Sequence, residues 1–239
     1  MKNLKHCKIT LFGDSIPKGI IYEDNQLKKL SQTAVALVTK HFDFELDNFS
    51  FYGQTLKRLQ EKGTIDQYLE KIDENEYNIA VISLGGNDSD YNWKVVASSP
   101  HEKHLPNTPL KEFEKMLDET IKKLQQKKVK VILTNIPPIN SKRYFENIIA
   151  KQADKEKVLD FLHGDVENIY RHQELYSMLI TKCAMKNNCR LLDIRGEFLW
   201  DIECLDKLCI DGIHPNEMGH ELIANSIIEQ LKDENEPEI

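Results

Sequence analysis

The chain has 239 residues, with 32 Lys and Arg against 39 Asp and Glu for a net charge of −7, and 40% of its residues are apolar. A chain of this length removes roughly 70 to 75% of its unfolded surface from water, so one domain over 1–239 sustains a core without disulfides or metal. The 10 glycines and 8 prolines exclude collagen-like and largely disordered classes, and the acidic balance argues against nucleic acid as a partner, because phosphate binding calls for clustered positive charge.

A membrane span needs about 18 to 20 mostly apolar residues, whereas the longest stretches free of charged side chains are the 11 residues Tyr77–Asn87 and Val131–Ser141. No membrane span is expected. The opening MKNLKHCKITLFG lacks the apolar region and cleavage site of a signal peptide, so a cytoplasmic location is expected. Cys7, Cys183, Cys189, Cys204 and Cys209 form an odd set without C-x-x-C, which suits thiols better than a disulfide framework.

Short β-branched runs alternate with longer amphipathic ones, the pattern of an α/β protein with a parallel sheet covered on both faces by helices. The strands are predicted at Cys7–Phe12, Phe44–Phe49, Asn78–Leu84, Lys130–Asn135 and Arg190–Ile194. After the third, Thr108 and Pro109 signal a helix start, and Leu110, Phe113, Leu117, Ile121 and Leu124 recur at steps of three and four, giving a stripe for the sheet. Two connections are long, Asp88–Asn107 and Ile136 to about Arg143. Ligands of open α/β sheets bind outside the carboxyl ends of the strands, so these insertions are the expected walls of a site. The last helix is predicted from about Glu217 to Leu231, with Met218, Leu222, Ile223, Ile227 and Leu231 on one side, and residues 232–239 form an acidic tail expected to be disordered and solvated.

Four short motifs fall just after a predicted strand or before the final helix: Gly13-Asp14-Ser15 running to Gly19, Tyr52-Gly53-Gln54-Thr55, Gly85-Gly86-Asn87-Asp88, and Asp211-Gly212-Ile213-His214-Pro215. The first puts a serine where the opening strand ends. A serine hydroxyl is a poor nucleophile unless a base takes its proton, and His214 is the candidate base, since imidazole exchanges protons near neutral pH. Asp211, three residues earlier, is spaced to hold the far ring nitrogen and fix the tautomer. Acyl transfer also develops charge on the carbonyl oxygen, and the candidate donors for that oxyanion are the N–H groups of Ser15 and Gly53 and the side-chain amide of Asn87.

In this order the four blocks resemble the SGNH or GDSL hydrolase family, the GDSL-like lipases and acylhydrolases: G-D-S-x-x-x-G at 13–19, the glycine block at Gly53, G-x-N-D at 85–88 and D-x-x-H at 211–214. Asn216-Glu217-Met218-Gly219 is similar to members of the same family. The resemblance implies a flavodoxin-like three-layer α/β/α sandwich with a five-stranded parallel sheet of order 2-1-3-4-5, and ester hydrolysis through a serine acyl-enzyme without metal or organic cofactor.

The expected substrate is a small-molecule ester with a small acyl group, acetyl first, on a polar and possibly carbohydrate alcohol. The alternatives are a lysophospholipase or thioesterase acting on longer chains, a metal-dependent phosphoesterase using Asp14, Asp88 and His214, and a catalytically silent binding protein on the same fold. Tyr91 and Trp93 on the first insertion, and Arg143 and Tyr144 on the second, either contact substrate or pack the loops onto the body. Asp14 either orients the serine turn or caps the helix after it. His101 and His104 have a spacing that suits a metal but sit in a proline-bounded loop. Cys204 and Cys209 flank the approach to Asp211, as buried thiols or in a redox or metal role.

Overall fold

Strand side chains alternate between two faces, and here that alternation splits the core in two. In β5 (Tyr77–Ser83) Ile79 and Val81 point to one face and Ala80 and Ile82 to the other; in β6 (Lys130–Thr134) Ile132 opposes Val131 and Leu133; in β1 (Cys7–Gly13) Ile9 opposes Phe12. One face is covered by helices Leu110–Gln126 and Glu167–Lys186, with Phe113, Leu117, Ile121, Leu124, Tyr176 and Ile180 packed against the sheet. The other is covered by Ala34–Phe42, Ile194–Trp200 and Glu217–Lys232 through Val38, Phe198 and Ile223. Each such side chain contributes about 1.5 to 3 kcal/mol by leaving water. The structure, a computed structural model, describes residues 7–232, so the opening residues 1–6 and the predicted acidic tail from 233 on lie outside the described residues.

The strand order is β4-β1-β5-β6-β7, all parallel, with β4 at Leu46–Ser50 and β7 at Arg190–Leu192. This is the expected order 2-1-3-4-5 of an α/β/α sandwich. A separate antiparallel hairpin of β2 (Ile20–Glu23) and β3 (Gln26–Lys29) was not expected; its turn residues Asp24 and Asn25 both have positive φ, 53° and 59°, as a type I′ turn requires.

Strand ends moved for local reasons. Phe44 leaves the predicted second strand because its N–H still donates to Thr39 O behind the left-handed Asp43 that ends the preceding helix. The fifth strand stops at Leu192 because the Asp193 carboxylate accepts from Gly196 N–H and starts a helix. In the last helix Met218 is half exposed, against expectation; Gly219 is the residue that packs there, under Lys207 O and Pro215. Short helices stand in both insertions, Trp93–Ser98 in the first and Ser141–Tyr144 in the second, and after the second the chain stays helical past its expected end through a π-turn Phe145–Ile149 and Lys155–Phe161. Together with Ile169 of helix Glu167–Lys186 these segments form an apolar cluster that includes Trp93, Val96, Tyr144, Ile149 and Val158. No helix among the described residues is long and apolar enough to cross a membrane.

Candidate active site

Because β4, β1 and β5 are parallel neighbours, with Gly13 level with both Ser50 and Ser83, the segments that leave them emerge side by side. After β1, the Asp14 carboxylate accepts from Ile16 N–H at 3.0 Å and caps one helical turn, Ser15–Lys18, which sets Ser15 at the strand end. After β5, the turn Gly86–Ser89 carries Asn87. Its Nδ2 donates to Gln54 O at 3.2 Å and to Asp14 Oδ2 at 3.4 Å, so the amide bridges the second motif and the serine turn.

The fourth motif arrives from the far end of the chain. Leu208 bridges Pro215, and Cys209 N–H donates to His214 O at 2.8 Å, closing a tight loop ahead of the final helix. Within it Asp211 Oδ1 accepts from the N–H groups of Ile213 and His214 at 3.0 and 3.1 Å. Its Oδ2 lies 2.5 Å from His214 Nδ1, and His214 Nε2 lies 2.9 Å from Ser15 Oγ. With Nδ1 protonated toward the carboxylate, Nε2 is free to accept the serine proton. Ser15, Asp211 and His214 are each at most 5% exposed, so these contacts operate away from bulk water.

Gly212 makes that loop possible. At φ +73° it lies where an added Cβ would stand 2.5 Å from Asn140 O and 2.9 Å from Tyr144 N, while its own carbonyl accepts from Asn140 N–H at 2.8 Å. The second insertion is therefore pressed onto the loop that carries Asp211 and His214.

Two further carboxylates frame the site. Asp14 caps its helix, as one of its two expected roles had it, and also abuts Asn87; burial pushes its carboxyl up to about 6 against the opposing pull of the Ile16 N–H bond and of His214. Asp88 faces away from the nucleophile: it accepts from Leu56 N–H at 2.9 Å and from Thr108 Oγ1 at 2.6 Å, and burial also pushes it up to about 6. It ties the second and third motifs to the start of helix Leu110–Gln126.

A cavity of about 760 Å³ opens from Ser15, Asn87 and His214 and is walled by Tyr52, Tyr91, Trp93, Tyr144, Phe161 and Ile169 among others. Trp93 and Tyr144, expected either to face substrate or to pack, are 3% and 5% exposed and pack into the apolar cluster, and both also line the cavity. Arg143 takes the other of its two expected roles, packing the loop onto the body. One residue before Tyr144 on a helical turn, it points elsewhere, and its guanidinium donates to the carbonyls of Leu205 and Leu208. Gly53, in the left-handed region at φ +66°, does not line the cavity itself; its neighbour Tyr52 does, stacked on the His214 ring at 6.5 Å between centroids.

His101 contacts Asp160 at 3.4 Å and His104 contacts Ser99 O at 2.8 Å, and no group of three or more potential metal ligands occurs among the described residues. Cys209 Sγ accepts from Tyr22 N–H at 3.4 Å, and burial pushes its thiol up, away from the reactive thiolate. Sequence reasoning missed Asp90, His172 and His220. His220 Nδ1 accepts from Ala34 N–H at 3.2 Å behind the site, and burial pushes its imidazole down to about 4. Its only sequence signal was a position one turn into the last helix.

The family model of GDSL-like lipases and acylhydrolases matches residues 9–227. Among solved structures, the lipase/acylhydrolase from Enterococcus faecalis superposes with a TM-score of 0.65 at 20% identity, covering 97% of this chain and 98% of that one. An acetyl xylan esterase from Geobacillus stearothermophilus gives 0.64 at 18% identity, covering 94% of each chain. A psychrotrophic esterase from Pseudoalteromonas gives 0.58 at 20% identity, with 95% and 97% covered. At these identities the likeness is one of fold. No curated protein matches by sequence.

Proposed function

Given that the chain belongs to the GDSL-like lipase/acylhydrolase family, we propose that it is a serine esterase in which Ser15 is acylated, His214 is the base and Asp211 orients the base. Ser15 Oγ attacks the ester carbonyl as His214 Nε2 takes its proton; His214 then returns that proton to the departing alcohol, and the acyl-enzyme is hydrolysed by water along the same path. The Ser15 N–H, the Asn87 amide and the Gly53 N–H are the donors for the oxyanion, and each such donor contributes about 10²- to 10³-fold in rate. The observation that carries this reading is the unbroken relay Asp211–His214–Ser15 at 2.5 and 2.9 Å on the wall of a cavity.

The acyl group is small, acetyl first, and the alcohol is polar. The fold likeness to an acetyl xylan esterase supports this reading, as does the cavity, whose wall presents the Asp90 carboxylate to a polar alcohol. One observation favours a second reading: Ile136, Ile139, Ile148, Phe161, Leu162 and Ile169 line the same cavity, apolar surface enough for a longer acyl chain. Ser15→Ala is expected to reduce 4-nitrophenyl acetate hydrolysis by about 10⁴-fold or more with an unchanged fold by circular dichroism. A series of 4-nitrophenyl esters from acetate to octanoate separates the two readings. Acetate turning over fastest supports the small acyl group, and octanoate ahead by about tenfold in kcat/KM replaces it with the longer chain.

A further inference from the structure

Asp90 holds a half-buried charge for which no side chain among the described residues supplies a cation. Its Oδ1 accepts from Trp93 Nε1 at 2.9 Å, its Oδ2 accepts from the Tyr144 hydroxyl at 2.8 Å, and the Tyr91 backbone N–H is its remaining donor. All three are neutral, and no Lys, Arg or His side chain pairs with this carboxylate among the described residues. On the cavity wall, Arg171 is committed to Asp165 at 2.9 Å and to Asn168 Oδ1 at 2.8 Å, and His172, packed 5.0 Å from the Tyr91 ring, is pushed toward its neutral form by burial. Burial pushes the Asp90 carboxyl up to about 6, so around neutral pH it is ionised but poorly solvated, a state that an incoming positive charge relieves.

Its surroundings suit the same occupant. A carboxylate offers about four lone-pair sites, so three donors leave one open, and Asp90 is only half-buried on the wall of the cavity that holds Ser15 and His214. Tyr91 and Trp93 lie 5.4 Å apart, Tyr91 and Phe161 5.6 Å, and Trp93 and Tyr144 6.4 Å, and all four rings border that cavity. Aromatic faces attract cations, most strongly where water is excluded. Tyr52, stacked on the His214 ring, borders the same cavity as Asp90. An alcohol protonated by His214 leaves Ser15 into that cavity. A neutral polyol would hydrogen-bond to Asp90 but leave its charge uncompensated.

We propose that this wall is a cation subsite: the ester carries an ammonium group on its alcohol portion, seated against Asp90 and the rings of Tyr91, Trp93, Tyr144 and Phe161. The proposal rests on the esterase reading, and its test keeps the two separable. Two acetate esters of nearly equal shape are compared at about pH 8, acetylcholine and its carbon isostere 3,3-dimethylbutyl acetate. The intact protein is expected to favour the cationic ester by about tenfold or more in kcat/KM, and Asp90→Asn to bring the ratio below about threefold. A ratio near one in the intact protein, or a preference that survives Asp90→Asn, overturns the subsite. Should Asp90→Asn fail to fold, Tyr91→Leu serves instead, with at least about a threefold loss of preference expected; an unchanged ratio overturns the proposal. If neither acetate is turned over, the esterase reading rests on the 4-nitrophenyl ester series, and the subsite is judged by calorimetry with tetramethylammonium. Binding to the intact protein that disappears in Asp90→Asn supports it; no binding, or equal binding, sinks it.

Discussion

The two ends of the cavity are built by different means. At the reactive end, Ser15, Asn87 and His214 are each set by a short turn whose own backbone N–H groups are capped by nearby carboxylate or carbonyl oxygens: Asp14 takes Ile16 N–H, and Asp211 takes two N–H groups of its own loop. At the far end, Trp93, Tyr144, Phe161 and Ile169 come from four separate helices and hold their places by packing on one another and by the Asp90–Tyr144–Trp93 hydrogen bonds. Backbone turns fix reactive groups with little dependence on the core, whereas the wall is itself a small core. Substitution at the first should remove chemistry and spare shape; substitution at the second should alter shape and stability first.

The sharpest way to break that contrast is Asp211→Asn. The amide cannot receive the imidazole Nδ1–H as a carboxylate does, and kcat on 4-nitrophenyl acetate should fall by about 10⁴-fold. A loss under tenfold would mean that the Asp211 contact is only structural. Next in size, Asn87→Ala should lower kcat by about 10²-fold with KM within about threefold; a matching collapse of the melting temperature would show that the turn depends on this side chain for folding. The smallest catalytic effect is expected at the wall. Tyr144→Phe removes the donor to Asp90 Oδ2 and should cost about 1 to 3 kcal/mol in urea unfolding while changing kcat by less than about tenfold. If it instead cut kcat as deeply as Asn87→Ala, the two ends would not be separable.

The same contrast explains what the sequence could reveal. The strand positions and the four motif turns were legible because each is encoded within a few residues: a β-branched run, a capping Asp at 14, a Gly-Gly before Asn87, an Asp three before His214; the strand order came only with the family resemblance that the motifs carry. The wall was not, because its helices are short. Trp93–Ser98 has six residues and Lys155–Phe161 seven, about two turns each, too few for an apolar period to stand out. Helix Glu167–Lys186 is long, but it buries Gln173 and Ser177 on its inner face, which blurs its stripe. Tyr144 and Arg143 were indistinguishable before the helical turn was known to send them apart. Met218 fitted the spacing of the final helix, yet a glycine beside it lets Lys207 O approach and takes the inward place.

One hydrogen atom, the one Gly212 carries in place of a side chain, sits where the second insertion touches the loop of the acid and the base. Lengthening or reshaping the segment after β6 to admit a different guest would thus shift the very support on which His214 rests. In this molecule, diversification of what is accepted and retention of reactivity share a mechanical joint, and changes to one must be matched by compensating changes in the other.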